Sequence, residues 1–238
     1  MNITTAGIVL HSTKYSDTSL IVKIFTEAQG TQSFIIKGAY GKKSRVKAAL
    51  FSPMALVDIT YNDHGGEKLK FLKDIMRRST PIDMGFDPVK SSILLFYNEL
   101  SYKLLFETGP DTVLFHFLEN EVLKVAEAET IPAELPLMFL IRLSVILGFF
   151  PENNYSEKTP YFSLTECRFQ PWQIDEQCEL PEAESRYLAH LLREESTPIP
   201  DRLIRNNLLR YLIKYYKIHN EQLKNVESVE ILASILHS

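Results

Sequence analysis

Residues 6–38 read AGIVLHSTKYSDTSLIVKIFTEAQGTQSFIIKG, and their reading decides how the chain begins. The runs AGIVLHS (6–12), SLIVKIFT (19–26) and TQSFIIKG (31–38) are short, alternate in polarity and favour β-branched and aromatic residues. That pattern is the signature of strands. Two more such runs, ALVDITYN (55–62) and KLKFLKDI (68–75), follow, with turn chemistry in EAQG and NDHGG. Five strands within the first 80 residues suit a small barrel. The OB-fold fits best, being five-stranded and partly open, with a strand face and loops that bind oligonucleotides. An SH3-like barrel has the same strand count, and periodicity alone leaves it open.

From Pro88 the apolar period becomes 3.6. Six segments follow: PVKSSILLFYNELSYKLLFETG, PDTVLFHFLENEVLKVAEAE, PAELPLMFLIRLSVILGFFP, PEAESRYLAHLLREES, PDRLIRNNLLRYLIKYYKIHN and SVEILASIL. Five of the six open with proline, which costs no hydrogen bond in a first helical turn. The sequence thus predicts an α+β protein of two domains, a five-stranded OB-fold barrel over 1–80 and an all-α helical domain over 81–238. RRSTPIDMGFDP, residues 77–88, is the expected joint.

Charge divides at the same place. The whole chain carries −4, yet residues 1–80 hold nine lysines and three arginines against six acids, a net +6, which leaves −10 for the rest. A basic first third joined to an acidic remainder suggests a polyanion-binding module. The basic residues concentrate in one loop. No acidic residue lies between Glu27 and Asp58, while Lys37, Lys42, Lys43, Arg45 and Lys47 crowd into eleven positions. Such runs often only solvate a turn. Here three features point to a ligand: the run has a single sign, Gly38 and Gly41 permit close backbone approach, and Tyr40 offers a face for a base. A phosphate backbone satisfies all three, so Lys37, Tyr40, Lys42, Lys43, Arg45 and Lys47 are the expected nucleic-acid contacts. Lys14, Arg77 and Arg78 would widen the track.

Nucleotide-using enzymes need a glycine-rich phosphate cradle, and neither GxGxxG nor GxxxxGK[ST] occurs. There is no GxSxG elbow, and no two of the six histidines fall within five residues of each other. The expectation is a protein without catalysis and without a cofactor. Cys167 and Cys178, in TECRFQPWQIDEQC, are eleven apart with no CxxC, which reads as free thiols rather than a zinc site. The opening residues lack a secretory signal, so a cytoplasmic protein is expected. LPLMFLIRLSVILGFF (135–150) is 16 residues with Pro136 and Arg142, too short for a bilayer span and suited to a buried helix.

With loop and barrel placed together, the sequence resembles the RecO family of bacterial DNA repair proteins. The resemblance lies in AGIVLHSTKYSDTSLIVKIFTEAQGTQSFIIKGAYGKKSR: the opening strand, the turn at Tyr15 to Asp17, the FT...G strand end at Phe25 to Gly30, and the KGA...KS loop at Lys37 to Ser44. It continues through LFSPMALVDITY and returns in HNEQLKNVESVEIL. The resemblance implies an OB-fold followed by helices and a recombination mediator of the RecFOR pathway. Such a protein would bind single- and double-stranded DNA, anneal complementary strands and help load RecA onto strands coated by single-stranded DNA-binding protein. RecR and the C-terminal tail of single-stranded DNA-binding protein would be its partners, at the nucleoid. Many members carry a four-cysteine zinc module, of which residues 151–180 would be a degenerate version here. Arg202, Arg205, Arg210, Lys214 and Lys217 in the 200–220 segment would hold the acidic tail, with Ile204, Leu208, Leu212 and Tyr215 facing the core. An RNA-binding OB module and a non-enzymatic adaptor are the other readings.

Overall fold

The computed structural model describes residues 1–39, 50–63, 65–66, 68–78, 87–173, 175, 178–193 and 201–235. It divides into two compact units, Met1–Glu129 and Thr130–Ser238.

The first unit begins with β1 (Asn2–Lys14), β2 (Leu20–Thr26), β3 (Gly30–Ile36), β4 (Leu56–Asn62) and β5 (Lys70–Arg77). They close into a barrel in the order β1-β2-β3-β5-β4. β1 is long enough to serve two neighbours: Asn2 to Ile8 pair with β4 and Gly7 to Lys14 pair with β2, both antiparallel. A bulge between Val9 and His11 bends β1 where it changes partner, as bulges do. The freed Val9 groups are satisfied, its amide donating to Ala55 O (3.0 Å) and its carbonyl accepting from Met54 N (2.8 Å) and Asn98 Nδ2 (3.3 Å). Parallel pairing of β3 with β5 closes the ring. This Greek-key order is that of an OB-fold, and it settles the choice that strand count left open.

Side-chain alternation fills the interior. Val22 and Ile24 of β2 point inward with Val9, Phe34, Val57 and Ile59, all fully buried. Each such side chain contributes about 1.5–3 kcal/mol on burial. The FT...G stretch is structural: the buried Thr26 hydroxyl donates to Gly30 O (2.8 Å) and accepts from Gln29 N (3.1 Å), closing the β2–β3 turn.

Two helices complete this unit. α1 (Pro88–Leu104) starts behind Asp87, whose carboxylate accepts from the Val89 and Lys90 amides, and α2 (Thr112–Glu127) starts behind Asp111, which caps Leu114 N. These caps satisfy amides that the first helical turn leaves without partners. β5 ends at Arg77 and α1 begins at Pro88, while the compact units divide at Glu129.

The second unit holds α3 (Leu135–Leu147), a hairpin of β6 (Tyr161–Ser163) and β7 (Arg168–Gln170), α4 (Glu182–Leu192), α5 (Arg202–His219) and α6 (Ser228–Ile235). α3 begins three residues after Pro132 because Pro136 must fall in its first turn, where a missing amide costs nothing. Its C-cap is Gly148 at φ 86°, the left-handed conformation glycine adopts freely. Among the described residues no helix is long and apolar enough to cross a membrane. Tyr216 of α5 donates its hydroxyl to Leu140 O of α3 (2.6 Å), and Asn207 donates to Glu184 Oε1 of α4 (2.9 Å).

Candidate nucleic-acid interface

The barrel has one weak seam. β3 and β5 pair at only two positions, Phe34 with Lys70 and Ile35 with Phe71. Beyond them lies a groove of about 230 Å³ lined by Ile35, Ile36 and Lys37 on one side and Phe71 to Ile75 on the other, with Phe51 also lining it.

The polarity of β5 is inverted here. Lys70 points into the barrel and is only 6% exposed, its ammonium 2.8 Å from the Asp63 carboxylate and 5.2 Å from the centre of the Tyr61 ring. Asp63 also accepts from Gly65 N, and the Lys70 and Gly65 hydrogen bonds hold its carboxyl below the usual aspartate range. Phe71 consequently points outward and is 56% exposed. The Lys37 ammonium lies 5.1 Å from its ring centre, within cation–π range. Lys73 is also exposed at the groove, and Asp74 is a carboxylate lining it.

The basic stretch starts beside this seam. Lys37 and Gly38 are exposed, and the Ala39 amide donates to Thr18 O (2.8 Å), tying the stretch to the β1–β2 turn. That turn carries Tyr15, 63% exposed, and a solvent-facing Lys14–Asp17 pair at 3.5 Å. Lys37 is thus placed at the seam, while Tyr40, Lys42, Lys43, Arg45 and Lys47 lie outside the described residues. Arg77 and Arg78 do not extend the track from Phe71. Six residues of strand, about 20 Å at roughly 3.3 Å each, separate Arg77 from Phe71, and Arg78 pairs with Asp58 (3.7 Å) and with Glu119 of α2.

The C-terminal end of α1 covers the neighbouring part of the outer face. The Lys23 ammonium sits 3.0 Å from the Phe106 ring centre and donates to Phe106 O (3.3 Å), while His11 stacks on Tyr102 with centroids 4.7 Å apart. Burial lowers the Lys23 pKa. Lys23 therefore holds the helix to the barrel, and the seam is left uncovered by it.

The cations of the 200–220 segment do not form one outward face. α5 buries Leu208, Leu212 and Tyr215 as expected, but also Arg205, which is 4% exposed and whose pKa is lowered by burial and then by Arg202. The reason is that α5 packs on more than one side, with Leu209, Ile213 and Tyr216 also buried. Arg202 donates to Ala233 O (3.4 Å), and Arg210 grips Glu230 through two bonds of 3.1 and 2.9 Å, so both fasten α6. Lys214 is half-buried and Lys217 exposed.

The described residues of 151–180 do not bring a zinc ligand set together. Its hairpin is packed through the buried Phe162 and Phe169 rings, 5.1 Å apart. Cys167 Sγ lies 3.4 Å from His219 Nε2, and a hydrogen bond with Asp175 keeps the Cys178 thiol above its ordinary pKa. Among the described residues no three His, Cys, Asp or Glu side chains converge as a metal site. Two thiols in these settings do not supply the four ligands of a structural zinc.

A Greek-key OB barrel with a cationic, aromatic seam, followed in sequence by helices, places the chain among OB-fold proteins, a class whose barrels bind oligonucleotides or oligosaccharides. Residues 1–78 match the family described as "Recombination protein O N terminal", and residues 85–226 match "Recombination protein O C terminal". The chain is 30% identical to the DNA repair protein RecO of Bacteroides fragilis, over 97% of this chain and 98% of that one. It is also 30% identical to the protein of that name from Flavobacterium psychrophilum, over 99% of each. The chain belongs to the RecO family of DNA repair proteins.

Proposed function

We propose that this RecO-family chain is a non-enzymatic recombination mediator. It binds single- and double-stranded DNA through the barrel, anneals complementary strands, and helps load RecA onto strands coated by single-stranded DNA-binding protein. RecR and the acidic tail of single-stranded DNA-binding protein are its protein partners, in the cytoplasm at the nucleoid. The observation that carries the reading is Lys37 over the outward Phe71, the first cation of a stretch without acids from Ala28 to Val57. Two strands repel through their phosphates. A protein that neutralises several of them releases counterions and lowers the cost of bringing the strands together. Stacking and backbone contacts tolerate any sequence, so base pairing supplies the specificity.

The test follows annealing of labelled complementary oligonucleotides in chelator, with and without ATP. The expected result is acceleration over the spontaneous rate that is indifferent to both additions. No acceleration, or an absolute need for ATP or metal, overturns the reading. Anisotropy with matched DNA and RNA strands over a salt series separates it from RNA binding, which reads the 2′-hydroxyl, and from an adaptor, which has no salt-dependent affinity for nucleic acid.

A further inference from the structure

We infer that the β3–β5 seam is a subsite for one unpaired base of single-stranded DNA, stacked on Phe71 with an adjoining phosphate at Lys37. This rests on the barrel being a DNA-binding surface and adds how that surface distinguishes single strands from duplex.

Among the described residues, Phe71 is not taken into the core. Its neighbours Lys70 and Leu72 turn toward the barrel interior, Lys70 buried and Leu72 packed against the core, while the larger aromatic is left more than half exposed. Ile35, half-buried, is its partner on β3 and shares its groove. An outward aromatic flanked by aliphatic side chains and lysines is the combination that single-strand binders use, a stacking platform inside a cationic channel. The Lys37 ammonium lies over the ring. Its flexible four-carbon stem lets the ammonium move onto a phosphate as a base takes its place.

The charge around the groove selects the occupant. Lys37 and Lys73 line it with one carboxylate, Asp74. A polyanion with an exposed apolar ring complements this surface. In duplex DNA each base is already stacked and paired, and flipping it out is unfavourable. Duplex therefore gains only the charge of the site, and single strands gain the stack as well.

The experiment compares Phe71→Ala, Phe71→Leu and Phe71→Trp with the parent by anisotropy, reading the ratio of duplex to single-strand dissociation constants at one salt concentration. A base–aromatic stack is worth about 1–3 kcal/mol, so the Ala and Leu variants should lose roughly 5- to 150-fold of this ratio. The Trp variant should keep it, with its added emission quenched by oligo-dT but not by an abasic strand of equal length. A ratio unchanged in Phe71→Ala while both DNAs still bind overturns the subsite and leaves the proposed function standing. Retention of the ratio in Phe71→Leu also overturns it, since leucine is apolar without a π-face. Tighter binding of single-stranded RNA with the same dependence on Phe71 overturns the assignment to DNA. A parent that binds neither strand overturns subsite and proposed function together.

Discussion

Thr31 in β3 donates its amide to the Thr108 carbonyl at 2.9 Å, and this bond draws the β2–β3 turn against the loop that joins α1 to α2. The Thr31 hydroxyl adds a second tie, to Leu105 O at 2.6 Å. Between these bonds Gly30 adopts φ +67°, and a β-carbon on it would collide with the Thr108 and Gly109 backbone. The family's FT...G spacing thus marks the point where barrel and helices meet. Gly30→Ala combines left-handed strain with a backbone clash and should cost more than about 3 kcal/mol. Gly38 has nearly the same φ, +71°, with nothing among the described residues within 4 Å of its added carbon. Gly38→Ala should therefore cost only about 1–2 kcal/mol. Urea midpoints of the two variants check the contrast, and equal losses would mean that the clash is relieved.

The Asp63–Lys70 pair should make stability depend on acid. Asp63 has its folded pKa lowered, chiefly by the Lys70 hydrogen bond and then by the Gly65 amide. A group with a depressed folded pKa contributes stability above its unfolded value, about 3.9 for aspartate, and loses it as pH falls through the folded value. Asp63→Asn should therefore be less stable than the parent at pH 7, with the gap closing progressively below about pH 4. Lys70 is only 6% exposed, so at neutral pH the variant also leaves a buried ammonium without its counter-charge. Denaturant titrations at pH 7 and pH 3 test this, and a gap independent of pH would rule it out.

What the sequence made legible was what local periodicity encodes. The five strands and the six described helices lie where their periods put them, and Asp87, Asp111 and Asp201 cap helices beside their prolines. The seam was not legible, because pairing of β3 with β5 joins residues 36 apart through a parallel register that no local pattern announces. Phe71 was missed for a related reason. KLKFLKDI reads equally well with Phe71 or Leu72 inward, and the choice depends on Asp63 receiving Lys70 and on a bulge at Lys73, where Leu72 pairs with Tyr61 but Asp74 pairs with Thr60. An acid in the preceding turn, ready to neutralise an inward lysine, was the available signal. Arg205 was misplaced because a helical wheel assumes one buried face, and α5 has neighbours on more than one.

Charge reversals along α5 should separate structural cations from exposed ones. Arg205→Glu buries an anion where a cation is accommodated and should destabilise the protein by about 3–5 kcal/mol. Lys217→Glu changes an exposed position and should stay within about 0.5 kcal/mol. Arg210→Ala removes a half-exposed bidentate pair with Glu230 and should cost about 1 kcal/mol or less. Melting temperatures rank the three. Loss of affinity for a labelled acidic tail peptide in Arg205→Glu would count as docking chemistry only if its melting temperature were unchanged, an outcome contrary to its burial.

The basic stretch should reveal itself in the salt dependence of DNA binding. Phosphate contacts release counterions, so the logarithm of affinity falls with the logarithm of salt by about 0.9 per contact on duplex and about 0.7 on single strands. Lys42→Glu/Lys43→Glu removes two candidate contacts and should flatten the duplex slope by about 1.8 and the single-strand slope by about 1.4. Phe71→Leu alters a stack and leaves the charge count alone, so it should lower single-strand affinity with both slopes intact. The two substitutions therefore separate along different axes of one experiment, slope for the lysines and strand preference for the aromatic. A salt series in anisotropy on parent, double reversal and Phe71→Leu measures all of these quantities together. Unchanged slopes in the double reversal would remove Lys42 and Lys43 from the interface, and a flattened slope in Phe71→Leu would mean that its ring positions a phosphate contact instead of a base.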